Sequence, residues 1–437
     1  MPGELFSFDI KTKKLLVKKY FDCADLVDKS MYEKISKMSE EQYINLIKSE
    51  LEKSVEMHSV SDAKLGVLFS AGLDSSLIAA ILSLKNFGEV DLFKYQSDNL
   101  DDAKLAEGFK NRFNCNLHTI SKIDDEIIYE LPKLIYHYET INKSDGTPLA
   151  MCCKLAREKG FKVLLTGDSA DEIFGGYGTF EAYIVKKKIK NLKFFSKFKF
   201  ILNKIIPGFS DLMGAELDSL VSPFSTELLE TYLDINLHGG KRRSDYLKSR
   251  ESFSFIKNSA ERDINAFLLD EISYRLERYM IRNDRYGMME SIEMRVPFLT
   301  LSILKIAINT PYYLKCKFKP SLGRREIFSK KYVLKKVAEK LKIPKNIIYR
   351  PKIGTPIGGR NYFLQELLFN RWSLINVANF FEIDELDLKN TINSSSSKIE
   401  KDRQIWNMLS LEILIREFIN QENYLDIQNE FRLLTKN

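Results

Sequence analysis

Two clusters of small, hydroxylated and acidic residues carry the chemistry this sequence offers. The first is Ser70-Ala71-Gly72-Leu73-Asp74-Ser75-Ser76, directly after the apolar run Leu65-Gly66-Val67-Leu68-Phe69. Small residues let backbone N–H groups curl around phosphate oxygens, and the hydroxyls of Ser70, Ser75 and Ser76 add further donors. A helix starting here contributes the positive end of its dipole. Asp74 inside such a turn repels an anion unless its carboxylate holds Mg²⁺ that in turn holds the phosphates. A serine-rich helix cap after a strand is the plainer reading; the density of small and hydroxyl residues after a wholly apolar strand argues against it. The GxxxxGK(S/T) spacing of a Walker A loop is absent.

The second cluster is Thr166-Gly167-Asp168-Ser169-Ala170-Asp171-Glu172-Ile173-Phe174-Gly175-Gly176-Tyr177, again after a short apolar run. Three acidic side chains within five positions are costly unless a divalent cation or a cationic group compensates them. A solvated acidic loop is the alternative, but Ile173, Phe174 and the paired glycines argue for a packed turn. Farther on, Tyr349-Arg350-Pro351-Lys352-Ile353-Gly354 places a lysine between Arg-Pro and Gly. Alone, such a lysine is most simply a surface residue.

These clusters need elements to hold them. Residues 4–21 read as a short hairpin with a charged turn, and residues 40–57 carry helical spacing. The run 65–69 suits a strand buried on both faces, followed by the apolar helix 77–84. Residues 90–95 read as a strand, 102–113 and 147–159 as helices, and 162–165 as a strand entering the second Gly-rich turn. Strands alternating with helices predict a parallel α/β sheet flanked by helices, with ligands beyond the carboxyl ends of the strands. From about residue 180 strand signals fade and helical periodicity takes over. The expected organisation is a hairpin and linker (1–39), an α/β core (40–180) and a mostly helical remainder (181–437).

The first cluster resembles the SGGLDSS pyrophosphate loop of the ATP pyrophosphatase superfamily, in which ATP is cleaved between its α and β phosphates. The second resembles the GEGADE-FGGY signature of asparagine synthetases. Asn283-Asp284-Arg285 with Ser291-Ile292-Glu293-Met294-Arg295-Val296-Pro297-Phe298-Leu299 resembles that family's DR…SIE-R-PFLD stretch. Residues 349–354 resemble its R-K-G motif, and Gln404-Ile405-Trp406-Asn407-Met408-Leu409-Ser410-Leu411-Glu412 resembles its closing helix. The resemblance implies ATP on residues 68–76 (Leu68, Ser70, Ala71, Gly72, Leu73, Asp74, Ser75 and Ser76) together with Gly167, its base near Leu68 and residues 93–95. It implies Mg²⁺ on Asp74 and Asp171. Lys352 would stabilise charge on the adenylating phosphate, and Asp168, assisted by Tyr177, would manage the amine proton. The expected reaction is adenylation of a carboxylate, then attack by ammonia or another amine to give an amide, AMP and pyrophosphate.

Departures from the family pattern bear on the substrate. The resembled synthetases carry an N-terminal glutaminase domain with an exposed cysteine nucleophile, whereas residue 2 here is proline and the first cysteine is Cys23. Only the tail end of that domain is matched, by residues 2–21. Ammonia is therefore expected from solution or from a separate glutaminase subunit. Ala71 and Ser169 stand where the family has glycine, Asp168 where it has glutamate, and Thr300 where it has aspartate; Thr355 stands near a usual phenylalanine. These changes weaken the case for free aspartate. Ring closure of the β-lactam synthetase or lasso-peptide cyclase kind, ligation of a larger amine, and a catalytically silent homologue stay open.

Composition excludes other classes. Hydrophobic residues at 44% and charged residues at 29% give an ordinary globular mix, too apolar for disorder. Lys and Arg (67) exceed Asp and Glu (60) only slightly, a weak excess for a nucleic-acid binder but suited to polyanionic substrates. The five cysteines form no CxxC pair, which speaks against a disulfide framework or a zinc site. The start lacks a secretory signal and no apolar run suits a membrane helix, so a cytoplasmic protein is expected. A homodimer is compatible with the sequence. The basic, Phe-interleaved stretch 183–206 reads as a membrane or nucleic-acid surface, or as a helix pair with one wet lysine face; the second reading is favoured.

Overall fold

The computed structural model describes residues 3–85, 89–96, 100–121, 129–140, 146–189, 247–318, 328–350, 362–394 and 398–435. Its centre is a five-stranded parallel sheet: β3 (Leu65–Leu68), β4 (Val90–Tyr95), β5 (Cys115–Ile120), β6 (Val163–Leu165) and β7 (Glu293–Arg295), in the order β5-β4-β3-β6-β7. Ahead of it in the chain, β1 (Glu4–Asp9) and β2 (Lys14–Lys19) form the expected antiparallel hairpin, with Phe6 opposite Val17 and Phe8 opposite Leu15. All four of these side chains are exposed.

Val67 sits between Leu92 and Leu165 in the ladder, and all three are buried. Middle strands of a parallel sheet covered on both faces carry such unbroken apolar runs. The helix Leu73–Leu84 leaves β3 at once, and eight of its twelve residues are buried. The helix Glu40–Ser59 is fixed at its start by a capping box of Ser39 and Gln42, and it buries Tyr43, Ile44, Ile47, Leu51 and Val55. That pattern repeats at helical spacing, and each end of the box satisfies an orphan N–H.

Two strands of the central sheet escaped the sequence pattern. β5 is an edge strand whose residues are mostly half-buried or exposed, so Asn116, His118 and Thr119 dilute its apolar signal. β7 is three residues long, and none of them is fully buried. It lies within the region expected to be mostly helical, yet it pairs with β6 through Leu164 and Met294. Short strands of low hydrophobicity are specified by their neighbours rather than by their own composition.

The helix Ser259–Met288 is thirty residues long and packs against the helices Gly146–Glu158, Ala170–Phe174 and Gly178–Ile189. Beyond it, the helices Tyr362–Arg371, Ile375–Phe380, Glu385–Asn393, Lys398–Phe418 and Tyr424–Thr435 gather around the fully buried Trp372. Leu131 and Ile135, from the helix Leu131–Tyr138, join that second core. Of the basic stretch, residues 183–189 continue the helix Gly178–Ile189: Tyr183 stacks on Phe267 at 4.2 Å and Lys187 pairs with Asp263 at 2.6 Å. Residues 190–206 lie outside the described residues. Cys115, Cys152, Cys153 and Cys316 are buried and Cys23 is half-buried, all as free thiols. Burial pushes the Cys152 and Cys316 thiols up to about 12, which keeps them protonated and unreactive.

Candidate active site

The carboxyl ends of β3 and β6 are adjacent, so the turns that follow them meet. After β3, Ser70 folds back on the helix start: its N–H donates to Ser75 Oγ at 3.2 Å and the two hydroxyl oxygens lie 3.1 Å apart. The helix Leu73–Leu84 begins at Gly72 with no side-chain cap, which leaves N–H groups available to an anion. Ser76 Oγ is buried and has no hydrogen-bond partner among the described residues. Ala71 is buried with φ at +53°, and Ser169 in the other turn has φ at +73°. Both positions where the family has glycine therefore require the left-handed backbone that glycine adopts freely.

Gly167 is the contact between the turns. A Cβ there would stand 2.6 Å from Ser75 N and 2.7 Å from the Asp74 carbonyl carbon, so only glycine allows this approach. The approach brings Asp74 and Asp171 to one cation, the ammonium of Lys331. Lys331 Nζ lies 2.6 Å from Asp74 Oδ2 and 2.8 Å from Asp171 Oδ1, with the lysine 7% exposed. Burial pulls this ammonium down, but the two carboxylates outweigh it and leave the lysine's pKa above the ordinary value. From sequence, Lys331 competes equally with any surface lysine as a phosphate partner. Its burial between the two carboxylates sets it apart from a surface lysine.

Asp168 is held beside this pair from two sides. Thr166 Oγ1 and Asn283 Nδ2 each donate to Asp168 Oδ2 at 2.7 Å. Arg282 donates to Asn283 Oδ1 at 3.1 Å and lies 3.6 Å from Asp168 Oδ1. The Tyr177 hydroxyl donates to the buried carboxylate of Glu172. Burial pushes the Glu172 carboxyl up, against the Tyr177 hydrogen bond, with the Asp171 charge adding to the rise. The Arg275 guanidinium covers the Tyr177 ring at 4.9 Å, and Tyr279 lies 3.4 Å from the Tyr177 hydroxyl. Arg275, Tyr279, Arg282 and Asn283 come from one side of the helix Ser259–Met288. None was singled out from sequence except Asn283, by the family motif, because helical charges are most often solvated.

Lys352 and Thr355 lie outside the described residues. Arg350, two positions earlier, is placed: its Nη1 lies 2.6 Å from Asp102 Oδ1, while the other Asp102 oxygen accepts from the buried Lys94 on β4. Leu68 is half-buried at the end of β3, and Phe93 is buried between Phe161 and His118. Thr300 proves to be a helix cap. Its hydroxyl accepts from Ile303 N at 3.4 Å at the start of the helix Leu301–Ile308, a task that aspartate performs equally well.

The residues present fit a nucleotide with a divalent cation. Two carboxylates already converge on one positive group, a buried serine hydroxyl has no partner among the described residues, and an uncapped helix start lies beside them. Mg²⁺ usually takes one or two carboxylates and completes its shell with phosphates and water. No helix among the described residues is long and apolar enough to cross a membrane.

Comparison with known proteins agrees with this geometry. The family model described as asparagine synthase matches residues 46–416. The glutamine-hydrolysing asparagine synthetase 1 of Bacillus subtilis (strain 168) is 25% identical over 403 residues, which is 85% of this chain and 58% of that protein. Asparagine synthetase B of Escherichia coli (strain K12) is 31% identical over 149 residues, covering 30% of this chain and 27% of its own. A putative asparagine synthetase of Methanocaldococcus jannaschii is 34% identical over 133 residues, 30% of this chain and 24% of its own. The chain thus spans less than two thirds of these relatives. With the family model matched over most of its length and the sheet and both turns in place, the chain belongs to the asparagine synthase family.

Proposed function

We propose that this protein forms an amide bond by adenylating a carboxylate and passing the acyl group to an amine. The observation that carries this reading is the convergence of Asp74 and Asp171 on one buried cation beside the Ser70–Ser76 turn. A family whose members form amides with ATP supports it. In this reading the triphosphate lies over residues 70–76, with the base beside Leu68 and residues 93–95. Asp74 and Asp171 would hold Mg²⁺, which supplies charge neutralisation of the pyrophosphate as it leaves. A carboxylate oxygen of the substrate attacks the α-phosphorus; the new C(O)–O–P bond forms as the bond to the β-phosphate oxygen breaks.

Lys352 stabilises the charge that builds on the α-phosphoryl oxygens, an effect commonly worth about 3–4 kcal/mol per well-placed donor. The amine then attacks the acyl carbon. It gives up a proton as the C–O bond to AMP breaks, and Asp168, oriented by Thr166, Asn283 and Arg282, receives that proton. Tyr177 acts at one remove, by fixing Glu172 and the Arg275 row. The amine is ammonia, from solution or from a separate glutaminase, or an amine of the substrate itself.

The test is pyrophosphate and AMP release from Mg·ATP with ammonium, across amino acids, uronic acids and peptides. Asp74→Ala and Lys352→Ala run beside the wild type. Carboxylate-dependent release, lowered at least about a hundredfold in both variants, is expected. Release of ADP and phosphate instead refutes the adenylation chemistry.

A further inference from the structure

Lys331 occupies the position that a divalent cation needs. Its ammonium sits between oxygens of Asp74 and Asp171 at 2.6 and 2.8 Å, and the three residues come from separate parts of the chain. This placement is built rather than incidental. Lys331 adopts a left-handed backbone, φ +50°, at the start of the helix Tyr332–Lys340, a conformation that costs a non-glycine residue energy. Gly176 makes room for the lysine stem: a Cβ there would stand 2.3 Å from Lys331 Cε and 1.8 Å from Asp171 Oδ1. Any side chain at 176 would push the lysine off the carboxylates.

We propose that Lys331 is an internal counter-ion that bars divalent metal from the Asp74–Asp171 pair until a phosphate chain enters and gives the ammonium another anion. The inference rests on the reading of this pair as the metal-holding part of a nucleotide site. Two arguments carry it. An ammonium and a metal ion cannot share the same carboxylate oxygens at contact distance, because like charges repel. The pair is also too poor a donor set to win metal alone. No group of three or more His, Cys, Asp or Glu side chains able to hold a metal occurs among the described residues. Mg²⁺ wants six oxygens and draws the missing ones from phosphate and water. A phosphate chain reverses both terms together: it brings oxygens for the metal, and it offers negative charge to a lysine on a flexible four-carbon stem. The requirement is for phosphates beyond the α position, so ATP and pyrophosphate qualify and AMP does not.

Mn²⁺ retained by the full-length protein in equilibrium dialysis tests this. Wild type is expected to retain none in a saturable way, either alone or with AMP, and to retain one ion when inorganic pyrophosphate is present. Lys331→Met without any phosphate is expected to bind one Mn²⁺ at least about tenfold more tightly than wild type, and the added change Asp171→Asn is expected to abolish that binding. Saturable binding of Mn²⁺ to phosphate-free wild type that Asp171→Asn removes would overturn the proposal, whether or not the Lys331 variant folds. So would a folded Lys331→Met that gains no Mn²⁺. If wild type binds Mn²⁺ alone while pyrophosphate is still released from ATP, this inference falls and the adenylation reading stands. If metal is excluded as described but no carboxylate elicits pyrophosphate, the reverse holds.

Discussion

Glu417, in the helix Lys398–Phe418, shows how a single carboxyl makes stability depend on pH. Both its oxygens are buried without a hydrogen-bond partner among the described residues, and burial pushes its pKa up to about 8. The unfolded chain releases this proton near the ordinary glutamate value, so between there and about pH 8 the folded state binds more protons. Stability therefore falls as pH rises through that window and levels off above it. Glu417→Gln is expected to flatten the decline and to raise stability at pH 8 by about 1–2 kcal/mol, read from thermal melts at pH 5.5 and 8.5. At the same scale, the site was legible where chemistry dictates residue type. Asp74, Asp168 and Asp171 stand in turns that glycines and hydroxyls announce. Arg282 was not legible, and Lys331 and Glu172 were only partly so, because a charged side chain among helical residues carries no mark of burial. Only the partners that the fold supplies make them distinctive.

Among elements, the contact of Arg350 with Asp102 joins the segment before Lys352 to the helix Leu100–Phe113 and, through Lys94, to β4. All three side chains are largely buried, so removing the shared anion leaves two cations without it. Asp102→Asn is expected to cost about 3 kcal/mol in thermal or urea melts. Arg350→Gln is expected to cost less, because Asp102 keeps Lys94. The elements themselves were readable where their period or apolar run was long enough to show. The hairpin, the strands at 65–68, 90–95 and 163–165 and the helices around them follow from period and apolar runs. β5 and β7 do not, since an edge strand and a three-residue strand take their pairing from neighbours. The helix Ser259–Met288 hides its role for another reason: its apolar residues are spread around it, because it touches several helices as well as the site.

Over the whole molecule the cores are unequal neighbours of a hairpin that shares in none of them. Leu5, Phe6, Phe8, Leu15, Leu16 and Val17 are all exposed, so the hairpin adds little buried apolar area. Deleting residues 1–20 is expected to move the melting temperature by no more than about 2 °C, measured by near-ultraviolet circular dichroism. A larger drop would mean that the hairpin does more for the fold than its exposure implies. The sheet is the opposite case, because its fifth strand comes from far along the chain. β6 ends at Leu165, and the β7 that covers its outer edge begins at Glu293. Synthesis proceeds at roughly 5–20 residues per second, so the nascent chain waits many seconds with a row of unpaired backbone donors and acceptors along Val163–Leu165. For that interval an apolar edge is open to pairing with any other extended segment, including that of a sister chain on the same messenger. A fragment ending ahead of Glu293 never leaves that interval.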